Sequence, residues 1–251
     1  MFSLNGKIAF ITGSSRGIGL GIARALARQG ADIRLSAVHR EGLDAAVENL
    51  RRDFPERRVS GILCDVTSQE SVDAAMRALR SQGGLHILVN NAGINLRAPV
   101  ADMPDELWQR MLDTDVTGVF RVCRAALPLL RGHGGKVINL CSLMSEIARP
   151  GIAPYAAAKG AVRQLTRALA TEWAGYNIQV NGVAPGFIAT DMNRPLMEEA
   201  ALNGYIMRHT PAKRWGTPDE VGGVAAFLAS PAADFITGQI LFVDGGFMAS
   251  L

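Results

Sequence analysis

The stretch Lys7-Ile8-Ala9-Phe10-Ile11-Thr12-Gly13-Ser14-Ser15-Arg16-Gly17-Ile18-Gly19-Leu20 decides the fold. An apolar run short enough for a buried strand ends at Thr12. A glycine-rich turn follows, and an apolar-periodic helix opens at Gly17. Glycines in such a turn let backbone amides approach a pyrophosphate at the positive end of a helix. Gly13, Ser15, Arg16, Gly17, Ile18 and Gly19 are therefore candidate dinucleotide contacts. The spacing is G-x-x-x-G-x-G, which meets the general G-x-G-x-x-G fingerprint only loosely. The strand–turn–helix setting carries more of the inference than the glycines do.

Moving outward, short apolar runs alternate with longer amphipathic stretches. The strand-like runs are Lys7–Thr12, Asp32–Val38, Arg58–Cys64, His86–Asn90, Lys136–Cys141, Asn177–Ala184 and Gln239–Val243. Helical periodicity covers Gly17–Gln29, Glu41–Asp53, Ser68–Ser81, Pro104–Leu130, Ala153–Trp173 and Pro218–Ala229. Strands with few polar interruptions are covered on both faces, as in a parallel sheet. The β-α alternation then implies right-handed crossovers and an α/β, Rossmann-type, doubly wound parallel sheet flanked by helices. The segment Asp191–Thr217, with Pro195, Gly204 and Pro211, breaks the alternation and reads as a flap of short helices at about 191–217. No linker divides the chain, so a single dinucleotide-binding catalytic domain over 1–251 is expected.

Composition narrows the function. With 251 residues, 48% hydrophobic, and a net charge of +3 spread without a lysine/arginine run, nothing points to nucleic acid or an anionic membrane. No apolar run reaches the ~18 residues of a membrane span. Cys64, Cys123 and Cys141 are odd in number, far apart and without ligand spacing. That pattern suits a reducing, cytoplasmic setting and argues against a metal site or a disulfide framework.

An acid that holds the ribose hydroxyls of NAD is expected about 20 residues beyond the glycine turn, at the end of the second strand. Leu35-Ser36-Ala37-Val38-His39-Arg40 has none; Asp32 comes too early and Glu41 opens the next helix. Arg16, His39 and Arg40 offer positive charge for a 2′-phosphate instead, so NADP(H) is expected in preference to NAD(H).

Tyr155 and Lys159 stand four residues apart at the start of a long helix, and Ser142 precedes them by one short loop. Side chains at i and i+4 share a helix face, and an ammonium beside a phenol favours the phenolate. Such a pair can move a proton at one point in space. Lys159 is one of only four lysines in the chain. Taken singly, each residue has a plain reading: an interfacial aromatic, a solvated helix lysine, a strand-end cap.

Together, Thr12–Gly19, Asn90-Asn91-Ala92-Gly93, Ser142 with Tyr155-x-x-x-Lys159, and Pro185-Gly186 resemble the short-chain dehydrogenase/reductase family in order and spacing over almost the whole chain. The resemblance implies a seven-stranded parallel sheet of order 3-2-1-4-5-6-7. It implies that Asp65 meets the adenine with Val66 beside it, that Asn91, Ala92 and Gly93 line the adenosine ribose, that Pro185 and Gly186 contact the cofactor, and that Ile188 and Thr190 meet the nicotinamide amide. By the same likeness Tyr155 exchanges the proton with the carbonyl oxygen, Lys159 also bonds the nicotinamide ribose, and Ser142 holds the oxygen. Relatives commonly assemble as homotetramers, which the apolar stripes Val116–Leu130 and Ala161–Trp173 permit; a homodimer is the smaller alternative.

The chain departs from the family at Asp115-Val116-Thr117-Gly118, where the family has Asn-x-x-Gly. Asp115 keeps the main-chain carbonyl of that fourth catalytic position and adds a negative charge near Lys159. Within the family, Ile138–Glu146, Ile152-Ala153-Pro154-Tyr155, Asn177–Gly182 and Thr210–Gly216 look most like gluconate 5-dehydrogenases, which interconvert D-gluconate and 5-keto-D-gluconate. A small polyol acid needs a cation and polar partners. Arg97 is the candidate cation; Ser145, Glu146 and Arg149 are candidate hydrogen-bonding groups beside Ser142 and Tyr155. Asn181–Met192 also resembles 3-oxoacyl-carrier-protein reductases, so a thioester substrate is the enzymatic alternative. A regulator that senses NADP(H) without catalysis is the remote one.

Overall fold

In a computed structural model, which describes residues 1–250, seven parallel strands form one sheet. They are β1 (Ile8–Ile11), β2 (Asp32–Ala37), β3 (Val59–Leu63), β4 (Ile87–Asn90), β5 (Gly135–Leu140), β6 (Ile178–Pro185) and β7 (Ile240–Val243). Their order is β3-β2-β1-β4-β5-β6-β7, with the reversal falling between β1 and β4, so the glycine turn after β1 and the Asn-Asn-Ala-Gly turn after β4 emerge side by side. A crevice at that switch point is where doubly wound sheets bind nucleotides.

Side chains of a strand point alternately to the two faces. Ala9 and Ile11 of β1 join a core with α1 (Gly17–Arg28), α2 (Arg40–Asp53) and α9 (Pro218–Ala229), whereas Phe10 between them joins the opposite core. That second core packs α3 (Gln69–Ser81), α5 (Gly118–Leu130) and α6 (Ala153–Trp173) on the other face. The inner strands β1, β4, β5 and β6 are covered on both sides, which is why their runs read as apolar without clean alternation. Helices α1 and α9 approach so closely that a Cβ on Gly222 would lie 2.7 Å from the Gly21 carbonyl oxygen. The start of α9 is fixed by a capping box: the Thr217 hydroxyl accepts the Glu220 N–H and the Glu220 carboxylate accepts the Thr217 N–H.

The periodicity over Pro104–Leu130 predicts one helix, and the structure divides it. Helix α4 (Asp105–Leu112) passes through a π turn at Asp113–Thr117 into α5, with helical dihedrals throughout. Between β6 and α9, the segment 191–217 contains α7 (Arg194–Glu198) and α8 (Ala200–His209). All three cysteines are buried, and burial pushes the thiols up, Cys64 and Cys123 to about 12 and Cys141 to about 11. No helix among the described residues is long and apolar enough to cross a membrane.

Candidate active site

The two turns at the switch point are laced together. Thr12 Oγ1 accepts the N–H groups of Asn91 and Ala92, each at 3.0 Å, and Asn91 Nδ2 donates to the carbonyls of Thr12 (2.9 Å) and Gly13 (2.8 Å). Gly13 has φ +60, and a Cβ there would come within 2.8 Å of Ala92 Cα, so this turn admits only glycine without strain. Across the crevice, a Cβ on Gly17 would lie 3.8 Å from a methyl of Thr190. Helix α1 has no side-chain N-cap and no acid in its first turn, so its leading N–H groups are left for an anion. The glycine turn, Asn91–Gly93 and Thr190 thus form a cradle that a pyrophosphate-bearing dinucleotide fits.

The start of α2 closes that cradle. A Cβ on Gly42 would lie 3.9 Å from Ser15 Oγ, which brings the glycine turn and the beginning of α2 together. Arg16, His39 and Arg40 are exposed there, and Arg40 makes only a loose surface pair with Asp44 at 3.8 Å. Asp32 lies at the far end of β2, where it accepts the Arg58 N–H. Further along, Asp65 caps the following turn by accepting from the Thr67 N–H (2.9 Å) and hydroxyl (2.7 Å), and Val66 is buried against Gly118. Pro185 and Ile188 are buried; Gly186 packs on Asp244, and the Ile188 carbonyl accepts from Asn193.

Tyr155 sits half-buried in the first turn of α6, and Lys159 one turn on is buried with its Nζ 5.5 Å from the Tyr155 ring centroid. Lys159 Nζ donates to the Leu140 carbonyl at 3.1 Å and forms an ion pair with Asp115 Oδ2, also at 3.1 Å. Burial alone would lower the lysine pKa. The Asp115 carboxylate, with Tyr155 second, overrides it and holds Lys159 above its ordinary value, so the ammonium is kept. Asp115 Oδ1 accepts the Ile94 N–H at 2.8 Å, and a Cβ on Gly93 would press within 2.8 Å of Oδ2. The carboxylate therefore bridges the turn after β4 to Lys159.

Ser142, just beyond β5, caps the turn that follows: its Oγ accepts the Met144 N–H at 3.2 Å. That leaves its O–H free to donate. Arg97 and Arg149 are brought together because the loops bearing them pair, with the Ala98 N–H donating to the Gly151 carbonyl at 3.1 Å. Arg149 lies over the Phe187 ring, 5.9 Å from its centroid. Burial, then repulsion from Arg97, lowers its pKa, while Tyr155 and the flap's Tyr205 act in the opposite sense. Ser145 and Glu146, expected to offer hydrogen bonds to a substrate, are turned onto α6 instead. Ser145 is buried, and the Glu146 carboxylate pairs with Arg163 at 2.6 Å.

Sequence reasoning gave Thr12 no role of its own, and it did not single out Arg163, Phe187 or the buried hydrogen-bonded chain beneath the site. In that chain of hydrogen bonds Asn90 donates to Asn139 (2.8 Å), Asn139 to Thr166 (2.9 Å), and Thr166 to the Val162 carbonyl (2.8 Å). The available signal was an asparagine inside each of two apolar strand runs, a position that demands a partner.

With the sheet order, the glycine cradle and the Ser142–Tyr155–Lys159 arrangement in place, the chain belongs to the short-chain dehydrogenase/reductase family, oxidoreductases acting on CH–OH groups. A family model described as "Enoyl-(Acyl carrier protein) reductase" matches residues 13–248. Among individual proteins, the chain is 43% identical to a gluconate 5-dehydrogenase of Gluconobacter oxydans (strain 621H), over 100% of this chain and 98% of that one. It is 42% identical to a 5-keto-D-gluconate 5-reductase of Escherichia coli (strain K12), covering 100% and 99% of the two chains. A crystal structure of a gluconate 5-dehydrogenase from Burkholderia cenocepacia J2315, in complex with NADP and tartrate, superposes with a TM-score of 0.96 at 44% identity over 100% of this chain and 98% of that one.

Proposed function

We propose that this protein interconverts D-gluconate and 5-keto-D-gluconate, or a closely related sugar acid, with NADP(H). The observation that carries the substrate class is the pair of arginines, Arg97 and Arg149, whose loops are hydrogen-bonded to each other and whose charges repel, with Tyr155 near enough to Arg149 to offset part of that repulsion. Two like charges in one cleft repel, and a carboxylate between them turns that repulsion into two charge-assisted contacts. The related Burkholderia enzyme was crystallised with tartrate, a hydroxylated acid. Arg16, His39 and Arg40, with no acid at the end of β2, suit a 2′-phosphate, and the related structure holds NADP.

When bound, NADP(H) supplies or accepts the hydride. The chain's own residues do the rest. Gly13, Ser15, Gly17, Ile18 and Gly19 cradle the phosphates; Asp65 and Val66 meet the adenine; Asn91, Ala92 and Gly93 meet its ribose; and Pro185, Gly186, Ile188 and Thr190 meet the nicotinamide. Ser142 donates to the substrate oxygen, and Tyr155 gives it a proton in reduction or removes one in oxidation. The buried Lys159 ammonium stabilises negative charge developing on the phenol oxygen, and Asp115 keeps that ammonium charged and in place. The segment 191–217 forms the substrate flap, bringing Tyr205 toward Arg149.

Assembly as a homotetramer in the cytoplasm completes the reading. Phe120 on α5 leaves aromatic surface exposed on one of the two helical stripes such an assembly would use, and light scattering of the purified protein tests it. The decisive assay is NADPH oxidation with 5-keto-D-gluconate, set against acetoacetyl thioesters and against NADH. Faster turnover of the thioester would replace the sugar acid by the carrier-protein alternative, and a clear NADH preference would overturn the phosphate assignment.

A further inference from the structure

The segment from Leu140 to Glu146 is fastened to helix α6 at successive points. Lys159 Nζ donates to the Leu140 carbonyl (3.1 Å), Ser145 Oγ donates to the Lys159 carbonyl (3.0 Å), and Glu146 pairs with Arg163 (2.6 Å). Lys159 and Arg163 are four residues apart, so the last two fastenings fall on adjacent turns of one helix face. Ser145 Oγ is also the acceptor for the Ser142 N–H at 3.2 Å. The backbones of Ser142 and Lys159 are thereby joined through a single oxygen atom.

A serine hydroxyl has one proton to give, and that of Ser145 is committed to the Lys159 carbonyl inside a residue only 8% exposed. It has nothing left to donate to a ligand. We infer that Ser145 is a positioning residue, which fixes Ser142 with respect to Lys159, and not a ligand of the substrate. The Glu146–Arg163 pair secures the outer end of the same segment. Without the Ser145 hydroxyl, the Ser142 N–H loses its acceptor and the strand end is free to drift from the helix. Misplacement of a reacting group on that scale slows turnover without weakening ground-state binding.

The inference rests on the proposed function only for the choice of one assay substrate. Ser145→Ala and Ser145→Thr are compared with the wild-type protein and NADPH, using 5-keto-D-gluconate and diacetyl, a ketone with neither hydroxyl nor carboxylate. Ser145→Ala is expected to lower kcat about tenfold for both ketones with KM little changed. Ser145→Thr keeps the hydroxyl and recovers most of that loss. Hydrogen exchange at the Ser142 amide is expected to quicken in Ser145→Ala alone. A loss confined to 5-keto-D-gluconate and expressed in KM would make Ser145 a substrate ligand and overturn the inference. Unchanged kcat together with unchanged exchange would overturn it as well. If the wild-type protein reduces diacetyl but not 5-keto-D-gluconate, the substrate reading fails while the Ser145 comparison stands. If it reduces neither, exchange at the Ser142 amide decides alone.

Discussion

Asp115 places a carboxylate where there is no exposure to water, facing one ammonium and one backbone N–H. Asparagine at this position would still accept from Ile94 but would put no negative charge beside Lys159. Removing a negative charge lowers the pKa of a neighbouring cation, so Asp115→Asn is expected to move the pH–rate profile to lower pH; an unmoved profile would show that the carboxylate is catalytically silent. Asp115→Ala also strands the buried ammonium, and denaturant melts should show a loss of about 3–5 kcal/mol. Across the cleft, Arg149→Ala is expected to raise KM for the sugar acid about 10- to 100-fold, the worth of one or two charge-assisted contacts, with kcat changing less. Initial-rate kinetics separate the two. That Tyr155 and Lys159 share a helix face was legible, because it depends only on their spacing of four. The inward turn of Ser145 and Glu146 was not, since both are ordinary polar loop residues until helix α6 is set beside them.

Between elements, the contact of α1 with α9 makes neighbouring glycines opposite in kind. A Cβ on Gly222 meets the Gly21 carbonyl at 2.7 Å and Ala25 Cβ at 2.9 Å, whereas one on Gly223 meets nothing within 4 Å. Alanine improves an exposed helix interior by about 0.5–1 kcal/mol, while forcing a methyl into a closed interface costs about 1–3 kcal/mol. Gly223→Ala should therefore raise the melting temperature and Gly222→Ala should lower it, a difference in sign that calorimetry reads directly. The strands and long helices were plain in the periodicity, as was the break at the flap. The π turn was not: Met111, Asp115 and Val119 are all buried at fourfold spacing, so the pattern looks the same whether or not the winding widens between them. Such turns are frequent at functional sites, and this one presents Asp115.

At the scale of the molecule, the end of the sheet away from the site holds a pH-sensitive joint. His86 Nδ1 accepts the Ile8 N–H at 3.1 Å, and its ring stacks on His133 with centroids 4.9 Å apart. Burial, then His133 and Lys7, lowers the His86 pKa, so the unfolded chain takes up this proton at higher pH than the folded one does. Stability from the neutral ring is complete above about 6.5 and is lost as pH falls below it, at no more than about 1.4 kcal/mol per pH unit for one proton. Melting temperatures from neutral pH down to pH 5 should fall in the wild-type protein and fall less in His86→Gln, whose carbonyl can still accept from Ile8.

The burial of every thiol has a practical side. With Cys64, Cys123 and Cys141 enclosed and their pKa values pushed to about 11–12, the folded protein should leave a colourimetric disulfide reagent unconsumed until it is denatured. It is in effect a blank slate for labelling. A cysteine in place of Met192, 54% exposed at the root of the flap, would then take a fluorophore selectively and report in real time whether that segment shuts when cofactor and sugar acid arrive.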